Sequence, residues 1–228
     1  LPPVVHVLFC LLVGGLCGLL YALIPAVLKL FFRIDEMITT LMLNYIALGI
    51  ESYLQNGPWK DPKGTGFPII AMFDQNARLP KVFGVHIGWI IVLALTIGMF
   101  VYMKYSKHGY EIAVVGESQR TARYAGMNVA KIIMRTMALS GAIAGLMGFL
   151  VVSGADYTLN TGTSGGVGFT AIIVAWLAKL NTVGIFLVSA LIGVLDYGST
   201  VAASSFSAVD SSFANMLQGV ILFTVLTA

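Results

Sequence analysis

Long apolar runs, broken only by short polar segments, constrain this chain more than any other feature. Seven runs are read as candidate membrane crossings, at about residues 4–28, 37–56, 86–103, 132–152, 168–179, 183–198 and 212–227. Composition agrees: 58% of the 228 residues are hydrophobic and 10% are charged, where a soluble domain carries about 25% charged residues. Mean hydropathy is +0.90. The expected fold is therefore all-α, a polytopic transmembrane helix bundle. The run at 168–179 is too short to cross alone, because a bilayer core needs about 20 helical residues. Glycines at 162, 165, 166 and 168 lead into it, and it is expected to be a short or re-entrant element. A flexible outer loop is the plain alternative for residues 153–168.

Basic residues set the orientation. If the first run leaves the membrane on the inner side, Lys29, Arg33, Lys104, Lys107, Arg120, Arg123, Lys131, Arg135 and Lys179 lie inside, against Lys60, Lys63, Arg78 and Lys81 outside. The expected location is the cytoplasmic membrane. The chain opens with Leu1-Pro2-Pro3, and is read as a fragment of a single transmembrane domain whose further crossings lie upstream.

The inner segment 104–135 holds six of the thirteen Lys and Arg residues and is longer than a turn between helices needs. Glu117 to Ala125 reads as one short helix, with Ser118 as a start signal and Gly126 as a left-handed terminator. Arg120 and Arg123 would sit on its surface. A charged helix held between two spans is expected to dock onto something.

Inside the spans, polar residues recur at helical spacing. Thr40, Asn44, Glu51 and Gln55 fall on one narrow face, with Tyr45 beside Asn44. Ser189, Gly193, Asp196 and Thr200 repeat the pattern, as do Ser211, Asn215 and Gln218. Polar groups within a bilayer face the bundle interior or a watery cavity. They either hydrogen-bond helix to helix or line a solute pathway. Gly14 and Gly18, and again Gly141 and Gly145, place small residues four apart where helix backbones approach closely. The outer segment 57–84 contains four prolines and mixed charge, and reads as an ordered surface.

Several functions find no support in the sequence. No lysine precedes a serine or threonine, so the phosphate-cradling loop of nucleotide hydrolases is absent. His6, His86 and His108 offer no metal-ligand spacing. Gly162-Thr163-Ser164-Gly165 would suit an intramembrane serine protease, but no histidine follows it to act as base. Cys10 and Cys17, seven apart on one helix, are about 10 Å apart along its axis and read as packing residues. Nucleic acid is not expected as a partner.

A resemblance adds to this reading. Gly109-Tyr110-Glu111-Ile112, Val115-Gly116-Glu117 and Ala122-Arg123-Tyr124-Ala125-Gly126-Met127-Asn128-Val129 resemble the coupling segment of the branched-chain amino acid, simple-sugar and nucleoside permease family of ATP-binding cassette (ABC) importers. Residues 38–47 and 56–62 resemble its nucleoside-type branch. The resemblance implies coupling to a separate ATPase subunit through Gly116, Glu117, Arg120, Ala122, Arg123, Tyr124 and Gly126. It also implies a second permease subunit, an extracytoplasmic solute-binding protein, and a nucleoside or, next, a simple sugar as solute. ATP would be used by the partner, with no cofactor in this chain. An ion-gradient carrier, with Glu51 or Asp196 as its coupling carboxylate, is the alternative.

Overall fold

The computed structural model describes residues 3–62, 70–73, 77–82, 85–159, 162–163, 165–205, 216–217, 219–220 and 224. Helix α1 spans Pro3–Phe32, with Pro3 at its first turn, where a missing N–H costs nothing. Its only charge is Lys29, in the last turn, where a cation favours the helix dipole. Arg33 then turns left-handed at φ 55° and stops the helix. Two residues later Asp35 starts α2 (Glu36–Asn56), its carboxylate accepting from the Met37 N–H at 2.7 Å. An ion pair between Lys29 and Glu36 ties the two helices at this turn.

Helix α3 (Gly88–Tyr105) follows two short antiparallel strands, β1 (Lys81–Val82) and β2 (Val85–His86). Beyond it come α4 (Lys107–Glu117), α5 (Gln119–Tyr124) and α6 (Val129–Val151), which runs into a π-helical turn at Val152–Asp156. Helices α7 (Val167–Leu177) and α8 (Thr182–Ser205) complete the order. The chain groups into two units: residues 1–94 with 101–163, and residues 95–100 with 164–228.

The first unit is built on α1 against α6. A Cβ on Gly18 would sit 2.7 Å from the Gly145 Cα, and one on Gly141 would sit 2.5 Å from the Gly18 carbonyl oxygen. Both distances are shorter than any side chain tolerates, so the two helices touch backbone to backbone, as the paired glycines predict. Ala26, Ile132 and Leu150 are buried in this unit. Helix α2 is held more lightly, chiefly by the Tyr21 hydroxyl donating to the Leu43 carbonyl at 2.7 Å.

At the opposite end of α6 from the α1–α2 turn, the π-turn anchors the described parts of the outer segment. Ser153, 1% exposed, donates to the Ala77 carbonyl at 2.5 Å and accepts at its own carbonyl from the Leu79 N–H at 3.1 Å. Thr158 donates to the Ile70 carbonyl at 2.9 Å, and the Arg78 guanidinium lies 4.9 Å over the Tyr157 ring. These contacts fit the ordered surface expected there. Residues 63–69, 74–76 and 83–84 lie outside the described residues.

The second unit is a helix hairpin. Lys179 and Leu180 turn left-handed at φ 49° and 57°, and the Asn181 side chain caps α8 by accepting from the Val183 N–H at 3.1 Å. This is the tight antiparallel pair that the brief 179–182 tip implies. Helix α7 begins after Gly166, at φ 73°.

Among the described residues, five helices are long and apolar enough to cross a membrane: Val5–Phe32, Glu36–Asn56, Gly88–Tyr105, Val129–Asp156 and Thr182–Ser199. The expected bundle is found, and its short element is α7. Helix α7 has 11 residues and so a length of about 16 Å, well short of a core about 30 Å thick. The run at 212–227 is described only at 216–217, 219–220 and 224.

Candidate functional site

The segment between α3 and α6 is assembled by three consecutive side-chain caps. Ser106 ends α3 and starts α4: its hydroxyl donates to the Tyr102 carbonyl at 2.6 Å and accepts from the Gly109 N–H at 3.0 Å. Gly109 is required by this turn, because a Cβ there would lie 2.7 Å from the Tyr102 carbonyl and press on that of Met103. Ser118 then ends α4 and starts α5, accepting from the Thr121 N–H at 3.3 Å. Gly126, at φ 77°, reverses the chain, and the Asn128 side chain starts α6 by accepting from the Lys131 N–H at 3.1 Å.

Ser118 and Gly126 act as the sequence suggests, but the helix between them differs from expectation. A single helix over Glu117–Ala125 is not formed. Glu117 is the last residue of α4, and Ser118, extended at φ −156°, separates it from α5. The reason is chemical: once the Ser118 hydroxyl satisfies the free N–H of Thr121, a new helix starts there.

Exposure sorts the expected docking residues. Tyr124 is 93% exposed, and Gly116, Glu117, Arg120, Arg123 and Gly126 are also open. Ala122 is 0% exposed, so it packs within the chain and is unavailable to a partner's groove. Its carbonyl accepts from the Met127 N–H at 3.0 Å, closing the turn toward α6.

A feature that sequence reasoning missed braces this element. Glu111 on α4 pairs with Arg135 on α6 at 3.0 Å, and His108 lies 3.5 Å from the same carboxylate oxygen. The Arg135 hydrogen bond, with a smaller contribution from His108, pulls the Glu111 carboxyl below its usual pKa. The pair links residues 24 apart. Only the fold-back through α5 brings them together, and sequence spacing gives no sign of it.

The polar stripes are reported unit by unit. On α2, Thr40, Asn44 and Tyr45 are exposed, whereas Glu51 and Gln55 are half-buried. The Thr40 hydroxyl turns back to the Glu36 carbonyl at 2.8 Å, as threonines within helices do. Glu51 Oε1 is buried without a hydrogen-bond partner. On α8, Ser189 and Asp196 are exposed; Ser189 donates to the Phe186 carbonyl at 2.9 Å, and the Asp196 carbonyl accepts from Ser199 at 2.8 Å. Asn215 and Gln218 lie outside the described residues, as do Ser211 and Ser164.

Comparison with known proteins gives these features their setting. Residues 2–226 match the model of the family described as "Branched-chain amino acid transport system / permease component". The chain is 33% identical over 209 residues to a guanosine ABC transporter permease protein of Bacillus subtilis, covering 87% of this chain and 58% of that protein. It is 29% identical over 242 residues to a glucose ABC transporter permease protein of Haloferax volcanii, covering 100% and 63%. A nucleoside ABC transporter permease protein of Lactococcus lactis is 30% identical over 213 residues, covering 87% and 58%. The chain spans about three fifths of the length of these relatives. No solved structure matches it. With five membrane-length helices and a family match running almost end to end, the chain belongs to the branched-chain amino acid transport system permease component family.

Proposed function

We propose that the chain is the greater part of the permease subunit of an ABC importer of the cytoplasmic membrane, moving a small polar solute at the expense of ATP hydrolysed in a separate subunit. The observation that carries this reading is the capped, exposed α4–α5 element, which holds Tyr124, Arg120 and Arg123 on its open surface. A short exposed helix of this kind gains nothing from lipid. It does suit a groove on a motor subunit, with the arginines meeting acidic groups and Tyr124 packing as an aromatic anchor.

In this mechanism, ATP-driven movement of the motor displaces α4–α5. The Glu111–Arg135 pair passes that displacement to α6, and the glycine seam passes it from α6 to α1. Asn44 and Tyr45 on α2, and separately Ser189 and Asp196 on α8, offer exposed polar groups suited to a solute path. Charged or strongly binding groups are few, which suits weak binding and rapid release, with selectivity supplied by a solute-binding protein on the outer side. A second permease subunit completes the pore. The names of the relatives favour a nucleoside first and a simple sugar next.

The test is reconstitution of the complete permease with its ATPase and receptor in proteoliposomes. Nucleosides are expected to stimulate ATP turnover and to accumulate inside; uptake that proceeds without the ATPase would overturn the reading. One observation supports a second reading: the unpartnered carboxylate oxygen of Glu51 is where an ion-coupled carrier would bind its cation. That carrier would transport without any ATPase and would stop on Glu51→Gln.

A further inference from the structure

An open groove of about 1130 Å³ lies at the inner end of the first unit, between the α1–α2 turn, α5 and the start of α6. We propose that it holds the headgroup of an anionic phospholipid from the inner leaflet. This inference rests on the groove and on the membrane orientation; Arg123 is shared with the proposed motor contact, so the variants that test it are at Arg33 and Lys131.

Four cations line the groove: Lys29, Arg33, Arg123 and Lys131. Two carboxylates also line it, but both are engaged. Glu36 is paired with Lys29, and Asp35 accepts the Met37 N–H. Arg33, Arg123 and Lys131 have no side-chain partner among the described residues, and because Asp35 keeps its negative charge while it caps α2, the four cations and two carboxylates of the lining leave a formal excess of two positive charges in one space.

The position fixes the kind of anion. Span α1 ends at Phe32, span α2 begins at Glu36 and span α6 begins at Val129, so the groove lies at headgroup level, and the bias of basic residues assigns that level to the inner side. Its wall is partly apolar, through Leu30, Phe31, Ile133 and Met134. Phe31 and Phe32 are 76% and 69% exposed, continuing that wall onto the outer surface of α1. Cations beside an apolar wall suit a phosphodiester joined to acyl chains, whereas a soluble phosphate would use only the cations. Basic pockets between helices on the cytoplasmic side are where acidic lipids bind. The volume exceeds the roughly 300–1,000 Å³ of a small-molecule site, so a headgroup fits. Arg33 adds a further sign. It occupies a left-handed position that glycine or asparagine takes with less strain, yet a cation stands there.

The experiment uses the full-length permease in detergent, measuring retention of phosphatidylglycerol against phosphatidylcholine by native mass spectrometry. Preference for phosphatidylglycerol is expected. It should fall roughly thirtyfold in the double variant Arg33→Gln/Lys131→Gln, from about 1 kcal/mol per lost cation. Lys131→Arg alone should keep it, and Arg120→Gln, which removes a cation outside the groove, should leave it unchanged. Equal retention of the two lipids would overturn the proposal, as would full preference in the double variant. Displacement of the lipid by millimolar inorganic phosphate would assign the cations to a soluble anion instead. Loss of the preference only when the ATPase is bound would show the groove to be an acidic-protein contact, which also overturns it. If the double variant does not fold, transfer of a photoactivatable phosphatidylglycerol to residues 30–34 of the wild-type chain decides the matter, and labelling elsewhere refutes it.

Discussion

The α1–α6 seam and helix α2 are both apolar and both long enough to cross a membrane, yet they are built to opposite plans. At the seam, Gly14, Gly18, Gly141 and Gly145 bring two backbones together, so the chain supplies its own partner and a single arrangement fits. Helix α2 carries Gly49, where an added Cβ would meet nothing within 4 Å, and an open stripe through Asn44 and Tyr45. Two polar links, the Tyr21 hydroxyl to the Leu43 carbonyl and the Lys29–Glu36 ion pair, join it to α1. The contrast separates a closely packed strut from a face that is open among the described residues. Packing holds the first, and the second keeps an open face.

The largest expected effect breaks the seam. Gly18→Leu forces a side chain into the backbone of α6. Overpacking of an interior costs about 1–3 kcal/mol, and with backbone as the obstacle the cost should reach or exceed the upper end of that range. A much lower thermal midpoint, or no folded permease at all, is expected. Gly49→Leu on α2 should change stability by less than about 1 kcal/mol, since Gly is a poor helix former and the site is open. Equal damage from both would erase the contrast.

Next comes the brace. Glu111→Gln leaves α5 folded but weakens the hold of α6 on α4. If α4–α5 couples ATP hydrolysis to uptake, solute moved per ATP should drop roughly fivefold, at the low end of typical coupling energies, with assembly unchanged. An unaltered ratio would remove the pair from the transmission path.

A smaller effect is expected on the open stripe. Asn44→Leu should reduce uptake roughly threefold, as the loss of one modest polar contact does, without lowering the amount of folded protein. If Asn44 serves only as glue, stability should fall instead.

The smallest effect is a slope with pH. Arg135 depresses the Glu111 pKa below the usual 4.5, so near that pH the unfolded chain binds more protons than the folded one. The stabilisation from the pair is fully present above 4.5 and is lost as pH falls through the lowered value. Thermal unfolding followed from pH 6 to pH 3 should show this loss, and Glu111→Gln should flatten it. An unchanged slope in the variant would mean that the pair does not form.

Much of the scaffold could be read in advance because local chemistry decides it. Spans follow from apolar length, the α1–α6 contact from glycines four apart, and the ends of α5 from a serine and a glycine. Helix α4 was not foreseen. Gly109 and Gly116 sit in it as apparent breakers, while its start depends on a serine already in use as the end of α3. Ser106 was the available signal, since serine is among the best helix-starting residues. Burial of Ala122 had no signal of its own: alanine suits either side of a short helix, and which side turns inward is decided by α4 and α6. The open polar faces were legible as stripes, though a stripe does not disclose what it faces.

Ser106 stands alone between α3 and α4, stopping one and starting the other with the same hydroxyl, and Gly109 rests directly on the carbonyls before it. Such a corner has no slack. A push on α4 from the inner side has no spare loop to absorb it and must be taken up by the last turn of a membrane-length helix, so the joint behaves as a crank and not as a tether.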